Sequence, residues 1–529
     1  MRTRRIALAI LVIAMVPMAV MAGGTQQRTQ AEVGLTPVGT YPIVTSPLTL
    51  RGFGRLDPQH GQWRDMTLWQ MMEERTGIRV EWETPGIDGI NERKNLVLAS
   101  GDLPDFFIKG ILNDSDVIRY GSDGTLVALE SYIDEIMPNF AALLAEFPDV
   151  RGSITAPDGR IYSLPRVVDF LPNTVWRSPL LNMVWMERLG LDIPTTSDEF
   201  RNVLRAFRDQ DANGNGNPND EIPFTSHNAF MAMNGIGGMF GVRYDLVGIG
   251  GQYPASVDNQ GTVRIMLDTT EYRNAVRYYA QLFQERLIDN DIFTHTNADY
   301  FGKGAGGRVG FTPLYQPRNF AQFANDYDAI VPPRGPDGHQ IWNYREATVA
   351  HRTSLVMTRV NAHREATARW FDWFYSDEGT TAVMMVNEDF YDVMPDGSLR
   401  YKEHVIEASI GFENFMGEHT IFPGGGAPGL FRGKHMAPGM MGTPMLTYIE
   451  KTQPYLPKAI RVGLRSESES RRESEIKSDL DIYVEETFAA FVTGRLNVNS
   501  DAEWERWRQT LARMGLRELE AIYQASINR

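Results

Sequence analysis

One short polar loop carries the clearest chemical signal in this sequence, between Asp209 and Glu221. Oxygen-bearing side chains recur there at every second position, with glycines among them. Calcium takes about six to eight oxygen ligands, and glycine allows the sharp bend that a short loop needs. The spacing therefore predicts a calcium ion that braces the loop, with a metal-free polar turn as the alternative.

Two registers of this loop satisfy the pattern. The first follows an EF-hand and would use Asp209, Asp211, Asn213, Gly214, Asn215, Asn217 and, in the twelfth place, Asp220. The second begins two residues later and would use Asp211, Asn213, Asn215, Asn217, Asp220 and Glu221. The spacing by itself leaves both registers open.

Some aromatic side chains lie in or beside loop-like stretches rather than in helical stripes. A flat ring can stack on the C–H face of a sugar, so such positions are candidates for ligand contact. Packing in a core is the alternative for each of them. The candidate ligand-binding residues are Trp63, Trp176, Tyr315 and Trp342.

Signatures of catalysis are weak or absent. The sequence contains neither a His-Glu-x-x-His zinc motif nor a Gly-x-Ser-x-Gly nucleophile elbow. The segment Gly302–Gly307 fits a dinucleotide-binding pattern, but it precedes a predicted strand instead of joining a strand to a helix. There is no cysteine, which excludes disulfides, thiolate metal sites and a cysteine nucleophile. We assign no catalytic residue and predict that the protein is not an enzyme.

The N-terminus has the order of a secretory signal peptide: arginines, an apolar run and a small residue at Ala22. A membrane anchor is the alternative, but the apolar run is short for a span. We predict a signal peptide at 1–22 and a flexible leader at 23–39. The mature protein is then expected to be exported and soluble in a periplasm, since it lacks the cysteine that lipid attachment requires.

Length and charge narrow the class of protein further. A chain of 529 residues exceeds one compact core and indicates two large lobes. Its formal net charge of −15 opposes nucleic-acid binding, which needs a basic face.

The predicted elements alternate in type along the first part of the chain. Strands are predicted at 48–53, 78–82 and 105–108, with helices between them at 63–75 and 92–100. This alternation indicates an α/β lobe with a largely parallel sheet. The C-terminal part is predicted to be helical at 443–462, 478–494 and 501–525, with the serine-rich run 466–478 on the surface.

Several short motifs occur in the order found in one known family. They are Glu74–Ile78, Leu98–Asp105, Gly159–Pro165, Leu189–Phe200, Asn213–Pro223, Trp370–Ser376 and Phe491–Gly494. No single motif is decisive, but together they run over nearly the whole mature chain. The sequence resembles the bacterial extracellular solute-binding proteins of family 1, in the large branch that includes LplA and the alginate-oligosaccharide-binding proteins.

The resemblance implies an α/β, two-lobed periplasmic-binding-protein-like fold with a hinge and an interlobe cleft. It places 40–168 plus 308–358 in the N-terminal lobe and 169–307 plus 359–529 in the C-terminal lobe. In the alginate-binding members the polar loop holds a structural calcium ion. Carried onto this chain, the ligands are Asp211, Asn213, Asn215, Asn217, Asp220 and Glu221, in a loop that is one residue longer than usual.

The function implied by the resemblance is that of a receptor for an ABC importer outside the cytoplasm. The protein would bind a carbohydrate, expected to be an oligosaccharide, as a monomer and deliver it to the permease subunits. Two alternatives remain open at this point. One is an exported carbohydrate-active enzyme, either a lyase or a glycosidase, and the other is an accessory that presents its ligand to a membrane sensor.

Overall fold

The computed structural model describes residues 33–529 except 171–174, 176, 316, 346–347 and 436–442. The predicted signal peptide and the candidate Trp176 lie outside the described residues. The strands are β1 Leu48–Phe53, β2 Ile78–Glu83, β3 Phe106–Ile108, β4 Leu164–Asp169, β5 Ser178–Asn182, β6 Ile222–Phe224, β7 Leu246–Val247, β8 Ala255–Val257, β9 Val263–Ile265, β10 Val309–Leu314, β11 Tyr327–Ala329, β12 Val349–Met357, β13 Tyr391–Val393, β14 Leu399–Tyr401, β15 Gly429–Arg432 and β16 Ile460–Arg461.

Helices surround these strands. The α-helices are Thr67–Thr76, Ile90–Ser100, Asp114–Ser122, Glu130–Ile136, Pro138–Glu146, Pro148–Ile154, Met183–Leu189, Ser197–Asp209, Ala229–Gly237, Thr270–Gln284, Asn297–Ala305, Arg364–Trp373, Asp377–Met385, Glu403–Ile406, Phe412–His419, Thr443–Thr452, Glu467–Val492, Asp501–Arg513 and Leu516–Ile527. Short 3₁₀ segments include Trp63–Asp65, Gly238–Phe240, Met266–Asp268, Gly433–His435 and Gln453–Tyr455.

The larger sheet has six strands in the order β15-β4-β12-β3-β1-β2. Strand β1 is parallel to β2 and β3, β12 is antiparallel to β3 and β4, and β15 is parallel to β4. The core beside this sheet includes Trp69, Phe106, Trp370 and Phe431, all of them buried. The predicted alternation of strand and helix is therefore confirmed for the first part of the chain.

A second sheet has four strands in the order β11-β5-β10-β6. Strand β10 is antiparallel to β5 and parallel to β6. The core beside this sheet draws Trp185 and Phe207 from the middle of the chain and Trp504 and Trp507 from its C-terminal helices. Two sheets with separate cores give the chain two α/β bodies.

The pairing of strands divides the chain differently from the expected lobe boundaries. Strand β10 lies inside 308–358, which was expected in the first lobe, but it pairs within the second sheet. The segment 364–431 was expected in the second lobe, but it returns to the first core through Trp370 and through β15. Hydrogen bonds between strands distant in sequence decide this division, and motif order does not reveal them.

Part of the expected flexible leader is held against the first core. Leu35 forms a β-bridge with Val44, so residues 33–45 fold back on themselves. The guanidinium of Arg369 then donates to the carbonyl oxygens of Thr36 at 2.6 Å and Thr40 at 3.1 Å. A buried arginine needs acceptors, and this segment supplies them.

The C-terminal helices begin and end where capping dictates. The helix Glu467–Val492 starts earlier than predicted because Ser466 and Glu469 form a capping box, and the serine-rich run is its first part. Gly515, with a φ of 96°, then separates the last two helices where a single one was predicted.

Asp372 makes the stability of the first core depend on pH. Its side chain is 4% exposed and accepts hydrogen bonds from the backbone N of Phe140 at 2.8 Å and from Nδ2 of Asn139 at 2.7 Å. Burial raises the pKa of Asp372 to about 6, so the native state binds this proton more tightly than the unfolded chain. The free energy of unfolding of the wild type should therefore fall by about 3 kcal/mol relative to that of Asp372→Asn as the pH rises from about 3 to about 7, most of it between pH 4 and 6.

The measurement is the melting temperature of both proteins between pH 3.5 and 7.5. The difference between the two curves isolates Asp372, because all other titrating groups cancel. Parallel curves would show that Asp372 keeps an ordinary pKa.

Candidate functional site: the facing sheet edges

The carboxyl ends of β1, β3 and β4 lie at one edge of the large sheet, where ligands bind in open α/β sheets. At this edge the chain leaves β4 for β5 and returns from β11 to β12. Because β5 and β11 belong to the second sheet, the second sheet must lie beside this edge. Tyr315, which directly follows β10 in the second sheet, packs against the core of the first. One edge of each sheet therefore faces the other sheet, and we call these two edges the facing edges. The space between them is the candidate binding site.

The two connecting segments contact each other on their way between the sheets. Val175 and Arg345 form an antiparallel β-bridge. A third segment passes close by, since Nη2 of Arg461 donates to the carbonyl of Ala350 at 3.3 Å. More than one chain segment therefore connects the two bodies, which is the arrangement of a hinge.

A buried ion pair follows the ends of β1 and β3. Nζ of Lys109 is paired with Oδ2 of Asp57, and both side chains are almost completely buried. Arg55 donates to both carboxylate oxygens of Asp57, at 2.7 and 3.2 Å. Burial lowers the pKa of Lys109 to about 7 despite the opposing field of Asp57. Burial would raise the pKa of Asp57, but the two cations hold it below its ordinary value.

His60 completes this cluster as a neutral ring. Nε1 of Trp63 donates to Nδ1 of His60 at 3.2 Å, so Nε2 carries the proton and donates to the carbonyl of Pro423 at 2.9 Å. Nζ of Lys109 also donates to that carbonyl, at 2.7 Å. Burial and the charge of Lys109 lower the pKa of His60 to about 4, which keeps the imidazole neutral at physiological pH.

Three consecutive glycines, Gly424, Gly425 and Gly426, cover the cluster with left-handed φ angles of 82°, 76° and 78°. A Cβ at Gly424 would come within 2.2 Å of Oδ2 of Asp57. Glycine is required there because of both this approach and the backbone conformation. Lys109 also has a positive φ, 73°, and such strain in a non-glycine residue is typical of functional sites.

The second sheet contributes an arginine and a histidine to the facing edge. Nη1 of Arg177, just before β5, lies 3.0 Å from Nδ1 of His227, which follows β6. Burial and the charge of Arg177 lower the pKa of His227 to about 4. Nε1 of Trp342 donates to the carbonyl of Arg177 at 2.7 Å and fixes this backbone. Cationic groups therefore lie on both sides of the candidate site.

The polar loop lies between the helix Ser197–Asp209 and β6, so it precedes the amino end of β6, whereas His227 follows its carboxyl end. Oδ2 of Asp211 accepts a hydrogen bond from the backbone N of Gly216 at 2.9 Å. Asp209 instead pairs with its neighbour Arg208 at 2.6 and 2.8 Å. The geometry thus favours the register that begins at Asp211.

Two oxygens of this loop are buried without a hydrogen-bond partner: Oδ1 of Asp211 and Oε2 of Glu221. Burial raises the pKa of Glu221, as expected for a carboxylate without a cation. Nδ2 of Asn213 and Nδ2 of Asn215 donate to Asp220 at 2.9 Å each. In the described part of the chain, there is no group of three or more His, Cys, Asp or Glu side chains that could hold a metal ion. The orphaned oxygens fit a hard cation, whose ligands would include amide oxygens of the loop.

Comparison with known families identifies this architecture. The family model described as bacterial extracellular solute-binding protein matches residues 59–381, more than half of the chain. The chain belongs to this family. The predicted family is thereby confirmed.

A curated relative of this solute-binding protein matches over most of its length. It is the fructooligosaccharide ABC transporter substrate-binding protein FusA of Streptococcus pneumoniae serotype 4. The two are 28% identical over 486 residues, which cover 86% of this chain and 85% of FusA. These relatives are binding proteins, so the prediction of a receptor rather than an enzyme is confirmed.

Solved structures place the solute-binding protein in the two-lobed fold. FusA of S. pneumoniae in complex with kestose is 25% identical, with a TM-score of 0.69, and the match covers 91% of this chain and 99% of FusA. A FusA EF-hand mutant in complex with fructo-nystose gives the same values. An extracellular solute-binding protein of Bifidobacterium longum subsp. infantis shares the fold, with a TM-score of 0.75, 20% identity and coverage of 91% and 98%. The predicted fold class is confirmed.

The candidate aromatic residues differ in their positions. Trp63 is 1% exposed, with its ring 4.9 Å from Trp82 and 5.5 Å from Trp69 between centroids. Trp342 is 2% exposed and packs in the second core. The ring faces of Trp63 and Trp342 are covered by other side chains in this conformation, which favours packing in a core over contact with a ligand. Tyr315 is half-buried between the two bodies and stays a candidate for ligand contact.

Arg55, Asp57, His60 and Lys109 were not predicted from the sequence. A signal was available in the run of three glycines and in a lysine directly after a buried strand. Neither signal indicates its partners, since Lys109 and Pro423 are 314 positions apart.

No helix in the part of the chain that the structure describes is long and apolar enough to cross a membrane.

Proposed function

We propose that this protein is the receptor of an ABC importer and binds a carbohydrate between the facing edges of its two sheets. The supporting observation is the similarity, over 86% of this chain, to FusA, a fructooligosaccharide ABC transporter substrate-binding protein. The facing edges offer the ring of Tyr315, which packs against the first core and has the flat face that suits the C–H face of a sugar.

The two bodies act as lobes that close on the ligand. We assign the first lobe to 33–168 and 349–432, and the second to 178–329 and 443–529. A ligand that touches both lobes only in the closed state shifts the equilibrium toward closure. The closed form is then presented to the permease subunits, and a separate ATPase subunit supplies the energy. The receptor is a monomer, exported by the signal peptide at 1–22 into the periplasm.

Calcium binding by the polar loop is part of this proposal. Its support is the pair of buried carboxylate oxygens without hydrogen-bond partners in Asp211 and Glu221, together with the EF-hand of the related FusA, which an EF-hand mutant of that protein alters. The proposed ligands are Asp211, Asn213, Asn215, Asn217, Asp220 and Glu221. A bound cation would neutralise this acidic loop and fix the end of the preceding helix.

Isothermal titration calorimetry tests the carbohydrate assignment. The purified protein is titrated with fructo-, gluco-, galacto- and manno-oligosaccharides of three to five units, and with amino acids and dipeptides as controls. Saturable binding of one sugar class, with the sugar recovered unchanged, supports the receptor function. Binding of peptides or amino acids with no sugar response overturns it.

Replacement of Tyr315 by alanine should weaken binding of the recognised sugar by about tenfold or more. The ring lies between the lobes, and burying an apolar surface of the size of an aromatic ring contributes about 1.5–3 kcal/mol. Tyr391→Ala is the matched control, because this half-buried tyrosine belongs to the hairpin of β13 and β14, away from the facing edges. Equal affinities in Tyr315→Ala and the wild type would remove Tyr315 from the site.

A further inference from the structure

Three asparagines of this chain are followed directly by glycine: Asn213, Asn215 and Asn234. In such a pair the backbone nitrogen of the glycine can attack the side-chain amide carbon of the asparagine. Glycine favours the attack because it has no Cβ to shield its nitrogen and because its backbone adapts to the required geometry. The freedom of the side chain and of the surrounding backbone decides whether the reaction occurs, and the three pairs differ in both.

Asn234 is held rigidly inside the second lobe. It lies in the helix Ala229–Gly237 and is 5% exposed. Its carbonyl oxygen accepts a hydrogen bond from Nδ2 of Asn343 at 3.2 Å, and a Cβ at Gly235 would lie 3.3 Å from the ring of Trp342. The helix fixes the backbone angles and close packing keeps the side chain from turning, so Asn234 should be unreactive.

Asn213 is half-buried at the start of the polar loop. Its Nδ2 donates to Asp220 at 2.9 Å, and its Oδ1 accepts from the backbone N of Asn215 at 2.9 Å. The guanidinium of Arg188 covers the following glycine, since a Cβ at Gly214 would come within 2.8 Å of Cζ of Arg188. Asn213 should therefore react slowly.

Asn215 and Gly216 are both exposed, and a Cβ at Gly216 would meet nothing within 4 Å. The side chain of Asn215 accepts from the backbone N of Asn217 at 2.7 Å and donates to Asp220 at 2.9 Å. Water can replace both exposed bonds at little cost, so the side chain is free to turn. The backbone N of Gly216 already donates to Oδ2 of Asp211 at 2.9 Å, which places a proton acceptor at the attacking nitrogen.

We propose that Asn215 is a site of spontaneous covalent modification, at which its side-chain amide is converted to an acid through a cyclic imide. The backbone N of Gly216 forms a bond to Cγ of Asn215, and its proton passes to Oδ2 of Asp211. The bond between Cγ and Nδ2 then breaks, and the amide nitrogen takes up that proton and leaves as ammonia. Water opens the ring at either carbonyl, which leaves aspartate or isoaspartate without any oxidant or cofactor.

Calcium binding by the polar loop should slow this reaction, a consequence that rests on the proposed calcium site. Cγ of Asn215 must turn toward the nitrogen of Gly216, and a side chain whose Oδ1 is a metal ligand is held in place. The products change the loop in turn, because aspartate adds a charge to those of Asp211, Asp220 and Glu221, and isoaspartate lengthens the backbone. Ligand charge and loop rigidity set calcium affinity, so a chain kept without calcium should afterwards bind it differently.

Peptide mass spectrometry of the ageing protein tests the proposal. The purified protein is incubated at mildly alkaline pH with calcium or with a chelator, and samples are digested with trypsin over time. One tryptic peptide, 209–243, contains all three pairs, so its fragment spectra compare them directly. With the chelator, we expect Asn215 to be converted about tenfold faster than Asn213 and Asn234 to stay unchanged, and calcium should slow the conversion of Asn215 about tenfold.

The variant Asn215→Gln should abolish the fast conversion in this peptide. Asn219→Gln is the matched control, because Asn219 is exposed in the same loop but precedes Asp220 instead of a glycine. This control should keep the wild-type rate. Thermal unfolding shows whether each variant is folded.

The outcomes separate the modification from the calcium site. Conversion of Asn213 or Asn234 as fast as that of Asn215 overturns the proposed modification site. If calcium raises the melting temperature but leaves the rate at Asn215 unchanged, the protection is overturned. If calcium changes neither quantity while Asn215 is still converted first, the calcium site is overturned and the modification site is supported.

Discussion

Asp57→Ala should lower the free energy of unfolding of this protein by about 3–5 kcal/mol, because it leaves the Lys109 ammonium group buried without its anion. Lys109 is 0% exposed and Asp57 2% in their side chains, so water cannot replace the missing carboxylate. The remaining neighbours of Lys109 are a carbonyl oxygen and the neutral ring of His60. Calorimetric unfolding of wild type and variant gives the change directly.

A double variant separates charge from packing. If the loss arises from the uncompensated ammonium, Asp57→Ala combined with Lys109→Met should recover more than half of it, since removing both members of a buried pair is nearly neutral. Asp102→Ala is the matched control: Asp102 is 77% exposed in a surface pair with Arg51, and its loss should cost less than about 1 kcal/mol. A double variant as unstable as Asp57→Ala would assign the loss to packing.

Removal of calcium should lower the melting temperature of the second lobe. A cation present at a thousand times its dissociation constant stabilises the folded state by about 4 kcal/mol, and a chelator removes that contribution. Asp211→Ala should start at the lower melting temperature and give no further response to the chelator. Differential scanning calorimetry with calcium, and with excess chelator, makes the comparison.

Asp209→Ala is the control that distinguishes the two registers of the loop. Because Asp209 pairs with Arg208 and not with the loop, this variant should keep the full response to calcium. A lost response in Asp209→Ala would restore the register that begins there. A wild-type melting temperature that does not change with the chelator would mean that the loop is a metal-free polar turn.

Local elements were predictable because their causes lie within a few residues. The first strand has the predicted bounds, Leu48–Phe53, and the first helix ends at Gly77, whose φ of 76° makes it a left-handed cap. The helix Ser197–Asp209 begins with a capping box between Thr196 and Glu199, as its sequence indicates. The polar loop was visible for the same reason, since its donors follow one another in sequence.

The aromatic candidates show where such reasoning fails. Trp63 lies in a loop-like stretch, which favoured contact with a ligand. The structure surrounds it with Trp69 from the following helix, Trp82 from β2 and the imidazole of His60, three residues before it. Exposure depends on how separate segments pack, and the sequence near one residue does not contain that information.

By itself the sequence determined the family, the α/β class, the absence of cysteine chemistry and the candidate metal loop, because each depends on composition or on neighbours in the chain. Only the tertiary structure decided which segments share a sheet and which charges meet. Strand β15 lies beside β4 although some 260 residues separate them in register, and Lys109 meets Asp57 across 52 positions. Backbone pairing between distant strands brings these groups together, so they are neighbours only in the folded protein.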